Sequence, residues 1–361
     1  MLTPFARPFY MMAKPVGAAC NLTCHYCYYL PKQQLYPDGK RHVMSDEVLS
    51  LFTRQYIEAQ ANHEVLFTWH GGEPLLLPLS FFENALRLQQ HYAGGHHIDN
   101  CLQTNGTLLT DEWCRFFAAN GWLIGLSIDG PAWLHDLRRS HRHGGPTHHE
   151  VMQAAERLDR HGVMWNALCT VGSHNADHSA EVYRFFADSG CRYLQFTPVG
   201  GDVQPLQWGR FLCGVFDEWR KVDVGQVFVN VFEATLANYL GVTPGICSMS
   251  PLCGHVGVVE WNGDVYSCDH FVNPQTLLGN IRQHTLYELM HSPSQQAFAR
   301  QKHGALPRQC RECRWLFTCH GECPRNRTAT TAAGEPGLNY LCEGYRMFFH
   351  HAHPFMLEQC Q

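Results

Sequence analysis

Cys20-Asn21-Leu22-Thr23-Cys24-His25-Tyr26-Cys27 sets three thiols on one short loop, directly after the apolar run Tyr10 to Pro15 that reads as a first β-strand. Three thiolates so placed hold three irons of a cubane iron–sulfur cluster and leave the fourth iron without a protein ligand. An open iron takes a substrate or a cofactor. A zinc knuckle is the alternative, but structural zinc completes four protein ligands, and the nearest candidate, His25, lies inside the loop itself.

Outward from the loop, residues 8 to about 198 alternate short β-rich runs with amphipathic stretches of helical length, the pattern of βα units. Strands are expected at Tyr10 to Pro15, Val65 to Trp69, Ile98 to Thr104, Leu123 to Ile128, Met164 to Val171 and Tyr193 to Thr197. Helices are expected to begin near Ser45, Leu79, Thr110, His148 and Asn175, with Ser45 a cap and Asp46 and Glu47 suited to the positive end of the helix dipole. Six parallel strands with helical crossovers form either an open sheet or an incomplete barrel. Two further helical stretches, about 206–221 and 231–240, lead to Pro244-Gly245, where the rhythm stops. Beyond lies a hairpin-like run, Val256 to Cys268 turning at Asn262-Gly263, in a cysteine-rich region that is expected to fold around inorganic centres.

The 361 residues are 45% apolar and 16% charged, which excludes disorder and a fibrous chain. Lys and Arg total 27 against 32 Asp and Glu, with no block of one sign, so nucleic acid is not an expected partner. No apolar run has the length of a membrane span, and Arg7, Pro8, Lys14 and Pro15 interrupt any signal-peptide core, which makes the cytoplasm the expected compartment and a membrane partner unexpected. In a reducing compartment, seventeen cysteines point to metal or cluster ligation rather than disulfides. Cys101, Cys114, Cys169, Cys191, Cys213 and Cys360 stand alone and are expected to pack as small hydrophobes. The C-terminal field reads C-x5-C-x14-C over Cys247, Cys253 and Cys268, then C-x2-C-x5-C-x3-C over Cys310, Cys313, Cys319 and Cys323, then Cys342. Eight cysteines fully ligate two cubanes, though spacing alone equally allows two zinc ribbons.

The loop, with an aromatic before its last cysteine, resembles the signature of the radical S-adenosylmethionine (SAM) superfamily. That resemblance implies a partial (β/α)6 barrel in which the open iron chelates SAM and an electron from the cluster cleaves the sulfonium to a 5′-deoxyadenosyl radical. Gly71-Gly72-Glu73-Pro74, straight after the second strand, resembles the superfamily's motif for the SAM amino group, with Glu73 or its neighbouring carbonyl as acceptor. Thr104 and Asn105, in Gln103-Thr104-Asn105-Gly106, and Ser127, in Ser127-Ile128-Asp129-Gly130-Pro131, end the next two strands, where α/β folds place ligands. By similarity they join Arg139 in the SAM pocket.

The C-terminal field resembles the SPASM domain of radical SAM enzymes that modify peptides and proteins. That resemblance implies auxiliary cluster I on Cys247, Cys253, Cys268 and Cys323, and auxiliary cluster II on Cys310, Cys313, Cys319 and Cys342, three [4Fe-4S] clusters in all. It divides the chain into a radical SAM part, 1–230, and an auxiliary-cluster part with a C-terminal helix, 231–361. Met12-Ala13-Lys14-Pro15, Gly125-Leu126-Ser127-Ile128-Asp129-Gly130, Tyr193-Leu194-Gln195-Phe196 and Tyr266-Ser267-Cys268-Asp269-His270 bring the whole chain closest to anaerobic sulfatase-maturating enzymes, which oxidise a cysteine or serine of a sulfatase to formylglycine. The resemblance makes Asp269 the general base and Tyr29 and His70 substrate-contact candidates, with a peptide segment of a sulfatase and an electron donor such as flavodoxin or ferredoxin as partners. His70 stands where those enzymes commonly carry glutamine and would either alter the hydrogen bonding there or introduce a titratable group; the connection Val199 to Gln207 is short for the family. A SPASM maturase that crosslinks a ribosomal peptide is the alternative reading, and a non-catalytic electron carrier a third, which needs neither the open iron nor the GGEP motif.

Overall fold

The computed structural model describes residues 9–37 and 42–361, so residue 8, where the βα pattern is read to start, and Arg7 lie outside the described residues. Six strands form where alternation places them, to within one residue at each end: β1 (Tyr10–Lys14), β2 (Glu64–Trp69), β3 (His97–Thr104), β4 (Leu123–Ser127), β5 (Trp165–Val171) and β6 (Tyr193–Pro198). Six more follow, β7 (Phe228–Val229), β8 (Val256–Glu260), β9 (Asp264–Tyr266) and β10 (Leu277–Asn280), with β11 (Ala329–Thr330) and β12 (Pro336–Leu338) as a separate antiparallel pair. The first helix, Asp46–Glu58, starts as its cap dictates, the Ser45 hydroxyl accepting from the Val48 N–H. The helix expected from Asn175 begins instead at Ser179. The Asn175 side chain accepts from the Gly172 N–H and donates to the Thr170 and Asp129 carbonyls, and so fixes a turn ahead of the helix.

The chain groups into two compact units that interleave along the sequence. The first holds residues up to Leu126, Arg139–Trp165 and Gly254–Ala299. Its strands run in the order β10-β9-β8-β1-β2-β3-β4. β1 pairs in parallel with β2 (Ala13 opposite Trp69) and with β8 (Lys14 opposite Glu260), and β3 with β4 (Thr104 opposite Leu126). The hairpin at Asn262-Gly263 forms as read, but it lies beside the first strand of the chain, which local pattern does not announce. Phe52, Tyr56, Phe67, Trp69, Phe82, Phe117 and Trp122 fill the core behind these strands.

The second unit holds Ser127–Arg138, Asn166–Cys253 and Arg300–Gln361. It carries β5, β6 and β7 in parallel order and, among its helices, Ser179–Asp188, Pro205–Val222, Asn230–Tyr239 and Cys342–Gln359. Two of these helices cross at glycine: a Cβ on Gly209 would lie 2.8 Å from the Gly344 Cα, and one on Gly344 would lie 2.2 Å from the Pro205 carbonyl oxygen. Cys114, Cys169 and Cys191 are buried and Cys101 and Cys213 half-buried, whereas Cys360 is exposed, because the burial of its helix ends at Met356. Among the described residues no helix is long and apolar enough to cross a membrane.

Candidate functional site

The cysteine loop has little regular structure and is held from outside. Its entry, residues 17–19, lies under the GGEP turn, where Gly72 N–H donates to Gly17 O and Glu73 N–H to Ala19 O, both at 2.8 Å. A Cβ on Gly72 would sit 1.8 Å from the Ala19 oxygen, so the residue next to Cys20 can approach only a glycine. On another side, Leu22 bridges to His141 and Thr23 N–H donates to Ser140 O at 2.9 Å. Asn105 Nδ2 donates to Asn21 Oδ1 at 2.9 Å and to the Cys20 sulfur at 3.7 Å. The Cys20 sulfur also accepts from Leu22 N–H, and the Cys27 sulfur from Leu30 N–H, each at 3.4 Å. Donors aimed at sulfur suit iron-bound thiolates. Burial pushes the Cys20 thiol up to about 11, so it ionises at neutral pH only against a metal, and the loop fits the cluster expected of it.

Glu73 is fully buried, and both of its oxygens are engaged inside the protein. Oε1 accepts from Leu75 N–H (3.0 Å) and the Thr104 hydroxyl (2.8 Å), and Oε2 from Asn105 N–H (2.8 Å). Burial raises its pKa to about 7. Glu73 and Thr104 therefore tie the GGEP turn to the end of β3, and Asn105 carries that tie to the cysteine loop. Arg139, almost buried, stacks over the Tyr26 ring of the loop at 5.4 Å. Ser127 is buried at the end of β4, in the second unit.

A second constellation forms where β1 meets the segment after β9. Lys14, with no exposed surface, ends β1 with its Nζ 2.5 Å from Asp269 Oδ1 and 2.9 Å from His70 Nδ1. The Tyr28 hydroxyl donates to Asp269 Oδ2 in a short hydrogen bond. Burial works to raise the Asp269 pKa, but the Lys14 ammonium beside it outweighs burial and holds the carboxyl well below the usual carboxylate range. His70 Nδ1 accepts from both Lys14 and Gly71 N–H (2.6 Å), which leaves the ring proton on Nε2. Burial, with Lys14 beside it, pushes His70 down to about 3, so the titratable group expected from sequence stays neutral in the physiological range. Tyr29 is buried and donates to Glu260, with Lys14 Nζ 4.3 Å above its ring. Sequence reading singled out Asp269, His70 and Tyr29 but missed Lys14, Tyr28 and Glu260.

In the second unit, Cys310, Cys313, Cys319 and Cys342 all line one cavity of about 400 Å³, with Trp315, Tyr345 and Phe349 as apolar walls. Burial pushes Cys319 up to about 12 and Cys342 to about 11, and Trp315 N–H donates to the Cys313 sulfur at 3.4 Å. Four enclosed thiols with an N–H donor fit a fully ligated cluster. Cys253 and Cys323 are raised in the same way, to about 11 and 12.

Two family models match the chain, the radical SAM superfamily over residues 15–193 and an iron–sulfur cluster-binding domain, SPASM, over 253–314. A serine-type anaerobic sulfatase-maturating enzyme of Bacteroides thetaiotaomicron is 52% identical, covering 98% of this chain and 91% of its own. A cysteine-type enzyme of Clostridium perfringens is 32% identical over 97% of this chain and 98% of its own. Among solved structures, native anSMEcpe with bound AdoMet and Cp18Cys peptide superposes with a TM-score of 0.89 at 33% identity, covering 98% of this chain and 99% of that one.

Proposed function

The chain belongs to the anaerobic sulfatase-maturating enzymes of the radical SAM superfamily, and from this premise we infer that it oxidises a side chain of a sulfatase peptide to formylglycine without oxygen. It is a radical SAM oxidoreductase that uses three [4Fe-4S] clusters and SAM, on a partial barrel followed by a SPASM domain. We assign the SAM cluster to Cys20, Cys24 and Cys27, auxiliary cluster I to Cys247, Cys253, Cys268 and Cys323, and auxiliary cluster II to Cys310, Cys313, Cys319 and Cys342. In chain order we place the end of the radical SAM part at 230 and the start of the auxiliary-cluster part at 231, while the compact units interleave, with 254–299 in the first. Serine is the favoured target, since the serine-type relative is 52% identical and the cysteine-type one 32%. A cytoplasmic site and a flavodoxin-like or ferredoxin-like donor complete the reading, because ligand thiols and a reductive cleavage both need reducing conditions.

When bound, SAM and its cluster supply a carbon radical that takes one hydrogen atom from the substrate Cβ. The rest of the oxidation is loss of one proton and one electron, giving an aldehyde from serine or a thioaldehyde from cysteine. What carries the residue-level reading is Asp269, a buried carboxylate kept ionised by Lys14 and directed by Tyr28. Asp269, kept ionised, is assigned the role of accepting the substrate proton. His70, neutral and fixed through Nδ1, keeps the Lys14 ammonium on Asp269. Gly71, Gly72, Glu73, Pro74, Thr104, Asn105, Ser127 and Arg139 are assigned to the SAM pocket, Glu73 and Thr104 as its internal brace.

The test uses a peptide in which serine is followed two residues on by proline and two further on by arginine. Wild type should convert the serine to formylglycine, and faster than it converts the cysteine peptide. Asp269→Asn should keep releasing 5′-deoxyadenosine while aldehyde falls about a hundredfold or more. Equal loss of both products with iron intact would assign Asp269 to ordering the site; a crosslinked peptide as sole product would favour the crosslinking maturase.

A further inference from the structure

Between Cys319 and Cys323 the backbone runs left-handed for three residues in succession, His320 (φ 47°), Gly321 (φ 70°) and Glu322 (φ 52°). His320 and Glu322 are the two non-glycine residues at positive φ among the described residues. Such backbone persists only where its surroundings over-determine it. Here one side chain does so. Arg327 Nε–H donates to Gly321 O at 2.9 Å, and Nη2 donates to His320 O at 3.0 Å and Glu322 O at 3.3 Å. Nη1 reaches the Lys302 carbonyl, which closes the clamp. Gly321 is the residue that admits the guanidinium, since a Cβ there would lie 2.7 Å from Arg327 Nη2.

Beside the clamp, Lys302 has no exposed surface and donates from Nζ to the carbonyls of Cys247 and Ser248, each at 2.7 Å. The opposing carboxylate, Glu322, is turned to Asn326 and Asn339. Arg327 interacts electrostatically with the thiols of Cys253, Cys310 and Cys319, and Lys302 with that of Cys253. Arg327 thus acts on thiols of both auxiliary ligand sets.

Resting on the ligand assignment proposed above, we propose that Arg327 is a positioning residue shared by the two auxiliary clusters: it locks the bridge from a ligand of one to a ligand of the other and, as a fixed cation, holds both reduction potentials up. Lys302, bonded to the carbonyls of Cys247 and Ser248, adds to the potential of cluster I. Reduction adds negative charge to a centre already ringed by four thiolates, so a fixed cation stabilises the reduced form. The substrate radical, after losing its proton, must give up one electron, which an auxiliary iron–sulfur cluster would accept when bound. Raised potentials favour that departure.

The experiment is an EPR-monitored redox titration of the anaerobically loaded full chain, wild type against Arg327→Gln, Arg327→Lys and Lys302→Met, with iron and sulfide measured on each. Arg327→Gln should shift both auxiliary couples to lower potential, by about tenfold in each reduction equilibrium, with the SAM-cluster couple unmoved as internal control. Arg327→Lys should restore both couples, and Lys302→Met should lower cluster I. Unmoved auxiliary couples in Arg327→Gln, or a shift in one of them alone, overturn the proposal. Should Arg327→Gln fail to load, Arg327→Lys decides: loading with both potentials near wild type supports the fixed-charge role, and failure to load or a fall in both refutes it. Wild type with only four irons would instead refute the ligand assignment.

Discussion

Replacing Lys14 by methionine removes the charge that faces Asp269 while keeping an unbranched stem over the Tyr29 ring. The pair is 2.5 Å apart, with Lys14 fully buried and the Asp269 side chain 12% exposed. Unit charges about 4 Å apart in an effective dielectric near 20 attract by about 4 kcal/mol. Removing one partner of a buried pair typically costs about 3–5 kcal/mol, because the other charge stays buried and uncompensated. Lys14→Met should therefore destabilise the loaded protein by about 3 kcal/mol, and Asp269→Asn by a similar or smaller amount, since Lys14 retains His70 as a partner. In the double variant neither charge remains, so its cost should fall short of the sum of the singles by about 2 kcal/mol or more. Urea unfolding followed by far-UV circular dichroism gives the four stabilities. Additivity within about 0.5 kcal/mol, with iron content equal in all four proteins, would show that the two groups do not interact and would remove Lys14 from the site.

Gly72→Ala should displace the cysteine loop, because its Cβ would meet the Ala19 oxygen at 1.8 Å; iron analysis should show about a third of the metal lost and deoxyadenosine release abolished, whereas full loading would refute the packing argument. Burial raises both Glu260 and Glu73 to about 7 from an ordinary 4.5, so their contribution to stability is complete below about 4.5 and lost as pH rises through about 7. The urea midpoint of the wild type should accordingly fall between pH 5 and pH 8, and Glu260→Gln, which keeps an acceptor for Tyr29, should flatten that slope by about half; an unchanged slope counts against the buried carboxyl. Substituting Cys20, Cys24 and Cys27 together by alanine should remove one cluster of three and all deoxyadenosine, as read by iron, sulfide and product assays.

The strands and most helix starts are legible because alternation and caps are local: Ser45 acts as the side-chain cap it is read to be, and the helix expected near Thr110 starts there, with Thr110 itself as its cap. Asp269 was legible through its place next to Cys268 in a segment resembling the family. Lys14 was quoted within such a segment but given no role, since a lysine at a strand end is ordinarily solvated and its partners, His70 and Asp269, lie far along the chain. Glu73 looked like a ligand-binding carboxylate from its motif, whereas the bonds that occupy it come from Leu75, Thr104 and Asn105. The hairpin after Gly245 was visible, but nothing in its own residues says that it pairs with β1. Arg327 and Lys302 carry no sequence signal beyond lying among cysteines; their meaning comes from the carbonyls they reach.

The pairing of β1 with β8 also sets the order in which the protein can be made. Tyr10 lies in β1, yet its neighbour on one side, Val256, leaves the ribosome only after 246 further residues (256 − 10). At roughly 5–20 residues per second the edge of β1 waits on the order of tens of seconds for that partner. During this time Met11 and Ala13, fully or almost fully buried in the finished protein, face an unpaired edge that invites pairing with another chain. Contacts of such long sequence separation also slow folding itself. The nascent chain is therefore most exposed to aggregation before β8 emerges, and expression yield should respond to slower translation or added chaperone at that stage more than to conditions applied after release.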